Sequence, residues 1–148
     1  MTNDVFPALT KLMHEAMGDL LAPATSFSEM CAETVIFEAP FAPGGAHVLR
    51  GRDAVEAYLP DVVKQYVIPE LRLIAMHRST NPGVVILEFL AHNARGAKTG
   101  IPYPQAYINV IKLRDGKIQE YKDYWNPDVA MRAIGVGGVS CNPPSFGN

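Results

Sequence analysis

In the first half of the chain, apolar residues recur at helical spacing. Over residues 6–21 the pattern predicts an amphipathic helix that ends before Pro23. The apolar face of this helix is formed by Leu9, Leu12, Met13, Ala16, Met17, Leu20 and Leu21. A second helix is predicted from Gly51 to about Tyr66, with Pro60 inside it as a kink site.

Between these helices the pattern predicts a short helix, a strand and a loop. Ser26 or Ser28 is a suitable N-cap for a helical turn that runs to Cys31. The β-branched and aromatic run at residues 34–39 predicts a strand. Residues 41–50 contain a proline and adjacent glycines, which is typical of a loop.

From Ile68 onward, apolar residues alternate with polar ones. This period of two predicts strands at residues 71–78, 84–95, 106–114 and 117–125. Asp115-Gly116, between the last two strands, is a strong signal of a two-residue hairpin turn. A final helical stretch is predicted at residues 127–134, and the Gly-, Ser- and Pro-rich sequence after it predicts an extended tail.

This order of elements predicts an α+β fold. Helices that precede an antiparallel meander pack on one face of the sheet. Long strands curl, so we expect a curved antiparallel sheet of about four to six strands, closed around a cone-shaped pocket by about three helices from the N-terminal half. A chain of 148 residues has the length of one domain, with a core predicted at residues 6–135 and a tail at 136–148.

Composition and charge narrow the expected partners and location. The net charge is −2, without a Lys/Arg cluster, so a nucleic-acid-binding surface is not expected. No run of about 18 apolar residues and no basic, apolar leader is present, so we expect neither a membrane span nor a secretion signal. Cys31 and Cys141 form no CxxC pair, and no His/Asp/Glu cluster has close ligand spacing. We therefore predict a cytoplasmic protein with one core thiol, one tail thiol, and no metal or cofactor.

Short stretches of the chain resemble a known family. Three stretches are similar to ketosteroid isomerase. Residues 37–41 with 51–53 resemble its first strand and second helix, residues 107–111 resemble its strand with an oxyanion donor, and residues 117–125 resemble its final strand. Residues 123–135 are more similar to the phenazine-biosynthesis A/B proteins and SnoaL-type polyketide cyclases. The chain thus resembles the ketosteroid-isomerase-like cone fold, which nuclear transport factor 2 shares. The resemblance implies this cone and a small-molecule pocket inside it.

The resemblance does not carry over the chemistry of ketosteroid isomerase, which uses an aspartate base, a tyrosine and a neutral aspartic acid. Ala39 matches the base and cannot take a proton, and Glu38 beside it faces the other side of the strand. The place of the tyrosine falls near His14 or Glu15, without a tyrosine nearby. Asn109 matches the neutral aspartic acid and can donate a hydrogen bond through its amide.

Asp123 is the predicted acid/base residue. It lies two residues before Trp125, so both side chains face the same side of a strand, and the resemblance places Trp125 in the pocket. The phenazine and SnoaL branches use an acidic residue on this strand. A carboxyl group in an apolar cone has a raised pKa, which suits proton transfer near neutral pH. Alternatively, Asp123 is a strand-end residue that pairs with Lys122, Arg132 or solvent.

Each further candidate has a structural alternative. Asn109 donates either to a ligand carbonyl, or to Asp123 or the backbone. Tyr58 is either a phenolic donor or a core aromatic residue. His14 lies at the pocket mouth or is an ordinary rim histidine. The remaining predicted substrate-binding residues are Trp125, Tyr107, Tyr121, Phe37 and Phe89.

Together these residues predict an enzyme that performs acid/base chemistry of isomerase, cyclase or dehydratase type on a compact apolar ring or polyketide-like substrate. The alternatives are a non-catalytic ligand-binding module, favoured by Ala39, and a dimeric scaffold. In each case we expect a homodimer through the outer sheet face, because one layer of helices covers only one side. Glu88 and His92 share one strand face and lie either at that dimer contact or in the pocket.

Overall fold

The computed structural model describes residues 4–136. The helices in this part of the chain are α1 (Pro7–Met17), which a 3-10 turn (Gly18–Leu20) extends, α2 (Phe27–Met30), α3 (Arg52–Gln65) and α4 (Pro127–Ala133). The strands are β1 (Cys31–Ala39), β2 (His47–Arg50), β3 (Tyr66–Val67), β4 (Glu70–Arg78), β5 (Val84–His92), β6 (Arg95–Gly96), β7 (Ala106–Arg114) and β8 (Lys117–Trp125).

Six strands form one curved sheet in the order β2-β1-β8-β7-β5-β4. Neighbours are antiparallel except β1 and β8, which run parallel because the meander returns its last strand alongside the first. A separate two-stranded sheet pairs β3 with β6. The predicted α+β class with a curved sheet is confirmed, and the parallel pair makes that sheet mixed.

Two strand assignments differ from the sequence prediction. The predicted loop at residues 41–50 contains β2, which pairs with β1. Because β2 is an edge strand whose residues are mostly exposed, no alternation of apolar and polar residues marks it. The strand predicted at residues 84–95 ends at His92, because Asn93 adopts a φ of 54° and turns the chain toward β6.

The hairpin of β7 and β8 has the predicted bounds. Asp115 and Gly116 both have positive φ, 52° and 75°. Positive φ at both central residues is typical of a two-residue hairpin turn whose twist matches that of the strands. The carbonyl of Gly116 accepts a hydrogen bond from the N–H of Ala22 at 2.9 Å. This bond ties the hairpin to the segment after α1.

Side-chain caps begin two of the helices. The Ser26 hydroxyl accepts from the N–H of Glu29 at 3.3 Å, and the Asn126 side chain accepts from the N–H of Asp128 at 2.9 Å. Each cap satisfies a backbone donor that a helix start leaves without a partner. α3 continues through Pro60 without a break.

The core lies on the face of the sheet that α1, α2 and α3 cover. Fully buried side chains from the helices and the sheet form one cluster that includes Leu12, Met13, Phe27, Met30, Val35, Leu87, Ile111 and Ile118. Cys31 belongs to this core, and burial raises the pKa of its thiol to about 12, so the thiol stays protonated. The opposite face of the sheet exposes Ile74, Leu90 and Ile108.

α4 packs over the small β3–β6 sheet and closes one end of the fold. A Cβ at Gly96 would overlap the carbonyl oxygen of Ala133, so only glycine allows this approach. The hydroxyl of Thr99 donates to the same carbonyl oxygen, and the Tyr66 hydroxyl donates to the carbonyl of Ala130 at 3.0 Å. These contacts hold Ala130 against the interior.

Within residues 4–136, none of the helices has the length and apolar character needed to cross a bilayer. The cytoplasmic location stays a prediction. Cys141 and the tail predicted at 136–148 lie outside the described residues, apart from Val136.

Candidate functional site

The space between the helices and the sheet contains a cavity of about 150 Å³. Nine of the thirteen aromatic residues of the chain line it: Phe6, Phe37, Tyr58, Tyr66, Phe89, Tyr103, Tyr107, Tyr121 and Trp125. The other lining residues are Leu9, Leu59, Asp61, Val62, Gln65, Leu71, Asp123 and Ala130. Asp61 and Gln65 of α3 are exposed, so they mark the side where the cavity reaches the surface.

Strand register brings the aromatic walls together. Tyr107 of β7 lies opposite Phe89 of β5 on one side and Trp125 of β8 on the other. The Phe89 and Tyr107 rings stack with centroids 4.8 Å apart, and the Phe37 and Tyr121 rings stack at 5.0 Å. These five residues, which the sequence predicts to bind substrate, all lie in the cavity lining.

Asp123 presents a carboxyl group to this cavity. Its Oδ1 accepts a hydrogen bond of 2.7 Å from Nδ2 of Asn109, and no hydrogen-bond partner for Oδ2 is found within residues 4–136. Burial raises the pKa of Asp123 to about 7, while the hydrogen bond from Asn109 acts in the opposite direction. Part of the side chain stays accessible, so a molecule inside the cavity can reach a carboxyl that is half ionised near neutral pH.

Asn109 supports Asp123 from below the cavity surface. It is fully buried, at 0% exposure, and is not a lining residue. The Tyr121 hydroxyl donates to Oδ1 of Asn109, which fixes the amide with its N–H toward Asp123. Of the alternatives for Asn109, the structure has the hydrogen bond to Asp123.

Tyr58 of α3 is the phenol in the cavity with a free hydroxyl. Its ring packs between Phe37 and His47, with centroids 5.6 Å from each. Burial, followed by the nearby Asp123 carboxylate, raises the pKa of Tyr58 to about 12, so the hydroxyl keeps its proton. Within residues 4–136 no side chain or backbone group forms a hydrogen bond with this hydroxyl, which leaves it available to a ligand.

Two lining tyrosines were missed by the sequence analysis. The Tyr103 hydroxyl lies 3.0 Å from that of Tyr107, and the Tyr66 ring stacks on Tyr103 at 4.3 Å. Tyr103 lies in a loop and Tyr66 in a strand of two residues, so neither carries a periodic signal. The prolines on both sides of Tyr103 mark only a turn.

The predicted position of His14 is wrong. His14 is exposed and lies outside the cavity lining, with its Nε2 2.9 Å from the carbonyl oxygen of Ala24, so it is not at the pocket mouth. Of the two alternatives for Glu88, the structure has the outer face and not the pocket. Glu88 lies on the outer sheet face, 2.6 Å from Nε2 of His77 on β4. Ala39, at the position of the isomerase base, is buried and is not a lining residue.

The charges of the lining are all acidic. Its ionisable carboxyls are those of Asp61 and Asp123, and no lysine, arginine or histidine lines the cavity in the described part of the chain. Over residues 4–136, no three His, Cys, Asp or Glu side chains come together as metal ligands would. The site therefore offers a carboxyl, a phenol and aromatic surface.

The chain matches one domain family and is similar in sequence to two further proteins. The SnoaL-like domain family matches residues 15–121 of the chain. The protein YesE of Bacillus subtilis (strain 168), described as uncharacterized, is 39% identical over 111 residues, which are 74% of this chain and 75% of YesE. An uncharacterized PhzA/B-like protein of Pseudomonas aeruginosa is 28% identical over 101 residues, 68% of this chain and 70% of that protein.

Two solved structures have a similar fold. A Bacillus subtilis protein provisionally named an isomerase has a TM-score of 0.71 at 34% identity, over 90% of this chain and 96% of that one. A phenazine biosynthesis-related protein of Pseudomonas aeruginosa has a TM-score of 0.64 at 16% identity, over 95% and 96%. At 16% identity, the similarity to the second structure shows a common fold only. The predicted resemblance to SnoaL-like and phenazine A/B proteins is confirmed.

The variant Tyr121→Phe is expected to raise the pKa of Asp123 above its wild-type value. Without the phenol, the carbonyl of Asn109 loses its donor, so the amide is no longer held toward Asp123 and the bond that lowers the pKa weakens. We expect the pKa of Asp123 to rise by about 0.5 to 1, as measured by NMR titration of its carboxyl carbon. Tyr103→Phe removes a hydroxyl elsewhere in the cavity and is the control. Equal pKa values in the two variants would contradict the role of Tyr121.

The variant Asp123→Asn is expected to stabilise the fold above pH 7. Because the folded pKa is raised from 3.8 to about 7, the folded state binds the extra proton, and wild-type stability falls as pH rises between these values. At pH 8 the variant should exceed the wild type by roughly 2 to 4 kcal/mol in free energy of unfolding, and at pH 4 by less than about 1 kcal/mol. Urea titrations at both pH values measure this, with Glu120→Gln on the same strand as control. A difference independent of pH would refute the raised pKa.

Proposed function

The chain belongs to the SnoaL-like domain family, and on this premise we propose that its cavity performs acid/base chemistry on a compact apolar ring or polyketide-like molecule. The observation that carries this proposal is the Asp123 carboxyl, which lines an aromatic cavity with a pKa of about 7 and has one oxygen without a hydrogen-bond partner among residues 4–136. A group whose pKa lies near the working pH is effective both as a base and as an acid. The relative provisionally named an isomerase supports the same class of reaction.

In this proposal Asp123 removes a proton from a carbon next to a carbonyl or imine. The C–H bond breaks, its electron pair moves into the conjugated system, and the proton rests on the carboxyl until it returns to another carbon. The free hydroxyl of Tyr58 donates to the oxygen or nitrogen that gains negative charge. Asn109 is a positioning residue that holds the carboxyl through its 2.7 Å hydrogen bond. Isomerisation, cyclisation and dehydration all begin with this proton removal. In isomerisation the proton returns to carbon, in cyclisation it goes to the alkoxide formed by ring closure, and in dehydration it goes to the departing hydroxyl, which leaves as water.

The size of the cavity limits the substrate. A cavity of about 150 Å³ is comparable to one that holds a benzene-sized molecule. Stacked rings on the walls favour a flat, apolar compound of about one ring. Together with Ala39 at the position of the base, this volume argues against a steroid as the substrate.

A non-catalytic ligand-binding module is the second candidate, and Ala39 favours it because the base of the isomerases is lost. Both candidates require a cavity that binds a ring. They differ in whether the Asp123 carboxyl transfers a proton. A purely structural scaffold needs a filled interior, so the cavity argues against that alternative.

The isomerisation of cyclohex-3-en-1-one to the conjugated cyclohex-2-en-1-one tests the catalytic proposal. This single-ring ketone requires loss of one proton beside the carbonyl and its return at C4, and ultraviolet absorbance follows the product. We expect wild-type turnover above buffer rates, rising with pH to a plateau above about pH 7, because the ionised carboxyl is the base. Asp123→Asn should lower the rate at least about 100-fold.

The matched control is Glu120→Gln, which removes a carboxylate of the same strand that pairs with Lys112 at 3.6 Å. Its rate should equal the wild-type rate. If the wild-type protein binds the ketone but turns it over no faster than Asp123→Asn does, the ligand-binding module is the correct alternative.

We also propose that the outer sheet face forms a homodimer. Phe41, Ile74, Leu90 and Ile108 are exposed there around a shallow groove, with Ile74 at 58% and Ile108 at 45% exposure. A two-fold axis through this face would pair the apolar patch with a second copy of itself.

The variant Ile108→Asp is expected to convert the dimer to a monomer, because two new carboxylates would be buried without partners. Sedimentation velocity at about 50 µM measures the state, and Val5→Asp, at an exposed apolar position before α1, is the control. A wild-type protein that sediments as a monomer would contradict the dimer.

A further inference from the structure

The charge of the cavity lining indicates which ligands the cavity favours. Its aromatic residues supply ring faces, which carry partial negative charge. Asp61 and Asp123 add carboxyls, and no cationic side chain lines the cavity within residues 4–136. An anionic ligand would thus meet like charge and negative ring faces, and would find no counter-charge.

We propose that the ligand's single apolar ring carries a positive charge on a nitrogen, as in a protonated ring amine or a protonated nitrogen heterocycle. This inference rests on the proposed function, because it names the substrate class of the same cavity. The free Oδ2 of Asp123 would accept a hydrogen bond from the nitrogen, and the aromatic walls would enclose the cation.

Asp123 and the aromatic rings of the lining both attract a cation. A carboxylate that is ionised in an apolar site lacks compensation unless an opposite charge joins it. Within the described residues its one hydrogen-bond donor is Asn109, and no cation stands against it. An ammonium group would supply both a counter-charge and a donor, and cation–π contacts with the tyrosines and Trp125 would add to its binding.

The preference for a cation should depend on pH, because Asp123 attracts a cation only when it is ionised. The groups that face it are Tyr58 and Asp61 from α3, Tyr107 from β7 and Tyr121 from β8, with Tyr103 from the loop before β7. Burial keeps these buried phenols protonated, so they do not change charge near neutrality. His47 touches the ring of Tyr58 from outside the lining. His47→Gln, which removes this histidine ring, is therefore the control.

Trp125 is the single tryptophan of the chain and lines the cavity, so its fluorescence reports occupancy. Benzylamine, benzyl alcohol and benzoate are probes of one ring and similar size with a positive, neutral and negative charge. At pH 8 we expect benzylamine to bind at least about tenfold more tightly than benzyl alcohol, and benzoate to bind more weakly than both. At pH 5.5, where Asp123 is protonated, the advantage of benzylamine should fall below about threefold, in the wild type and in His47→Gln.

The variant Asp123→Asn should lose the preference for benzylamine at pH 8 and keep its affinity for benzyl alcohol within about threefold. Glu120→Gln, with the same charge change on the outside of β8, should keep the preference. Equal binding of benzoate and benzylamine, or a preference that survives in Asp123→Asn, would overturn the inference. Binding of benzyl alcohol without charge selection refutes only this inference, whereas charge selection without enone isomerisation refutes only the catalytic proposal.

Discussion

A carboxyl group that is embedded among aromatic rings needs a proton, a donor or a cation to compensate for the water it has lost. In this structure the carboxyl is that of Asp123, and the compensation is a single amide N–H from Asn109. Tyr121 sets the direction of that amide, and the Tyr121 ring is in turn packed between Phe27 and Phe37. Core packing thereby determines the ionisation of a group on the cavity surface.

Strand register makes this chain of contacts possible. Asn109 lies directly opposite Asp123, and Tyr121 lies two residues before Asp123 on the same face of β8. A shift of β8 by one residue against β7 would turn Tyr121 and Asp123 to the outer face, away from Asn109. The Asp115-Gly116 turn places Leu113 opposite Ile118, and an irregularity next to Leu113 then shifts the pairing by one residue, which places Asn109 opposite Asp123. The turn and this irregularity are therefore as important for the site as the residues in it.

The parts of the fold that the sequence predicts well are those that have a period. β7 and β8 alternate over most of their length and are joined by a turn with a distinct signature, so their bounds follow from the sequence. The inward parity of Asp123 follows from its two-residue spacing to Trp125. β2 is an exposed edge strand without such a period. Tyr66 and Tyr103 enter the cavity from a very short strand and a loop. The position of His14 depends on the rotation of a helix, and one residue of error there turns a side chain by about 100°. The partner of Asn109 depends on distances that only the folded chain defines.

The end of the cavity is built separately from its centre. β6, the loop that carries Thr99 and Tyr103, and α4 form a packed unit at this end, and Gly96 allows α4 its close approach. Substitutions in this unit would reshape the far wall and leave the hydrogen-bonded carboxyl undisturbed. Relatives can thus diverge in the molecules they accept by altering residues 95–104 and 127–133, while the hydrogen-bonded carboxyl between β7 and β8 is inherited intact.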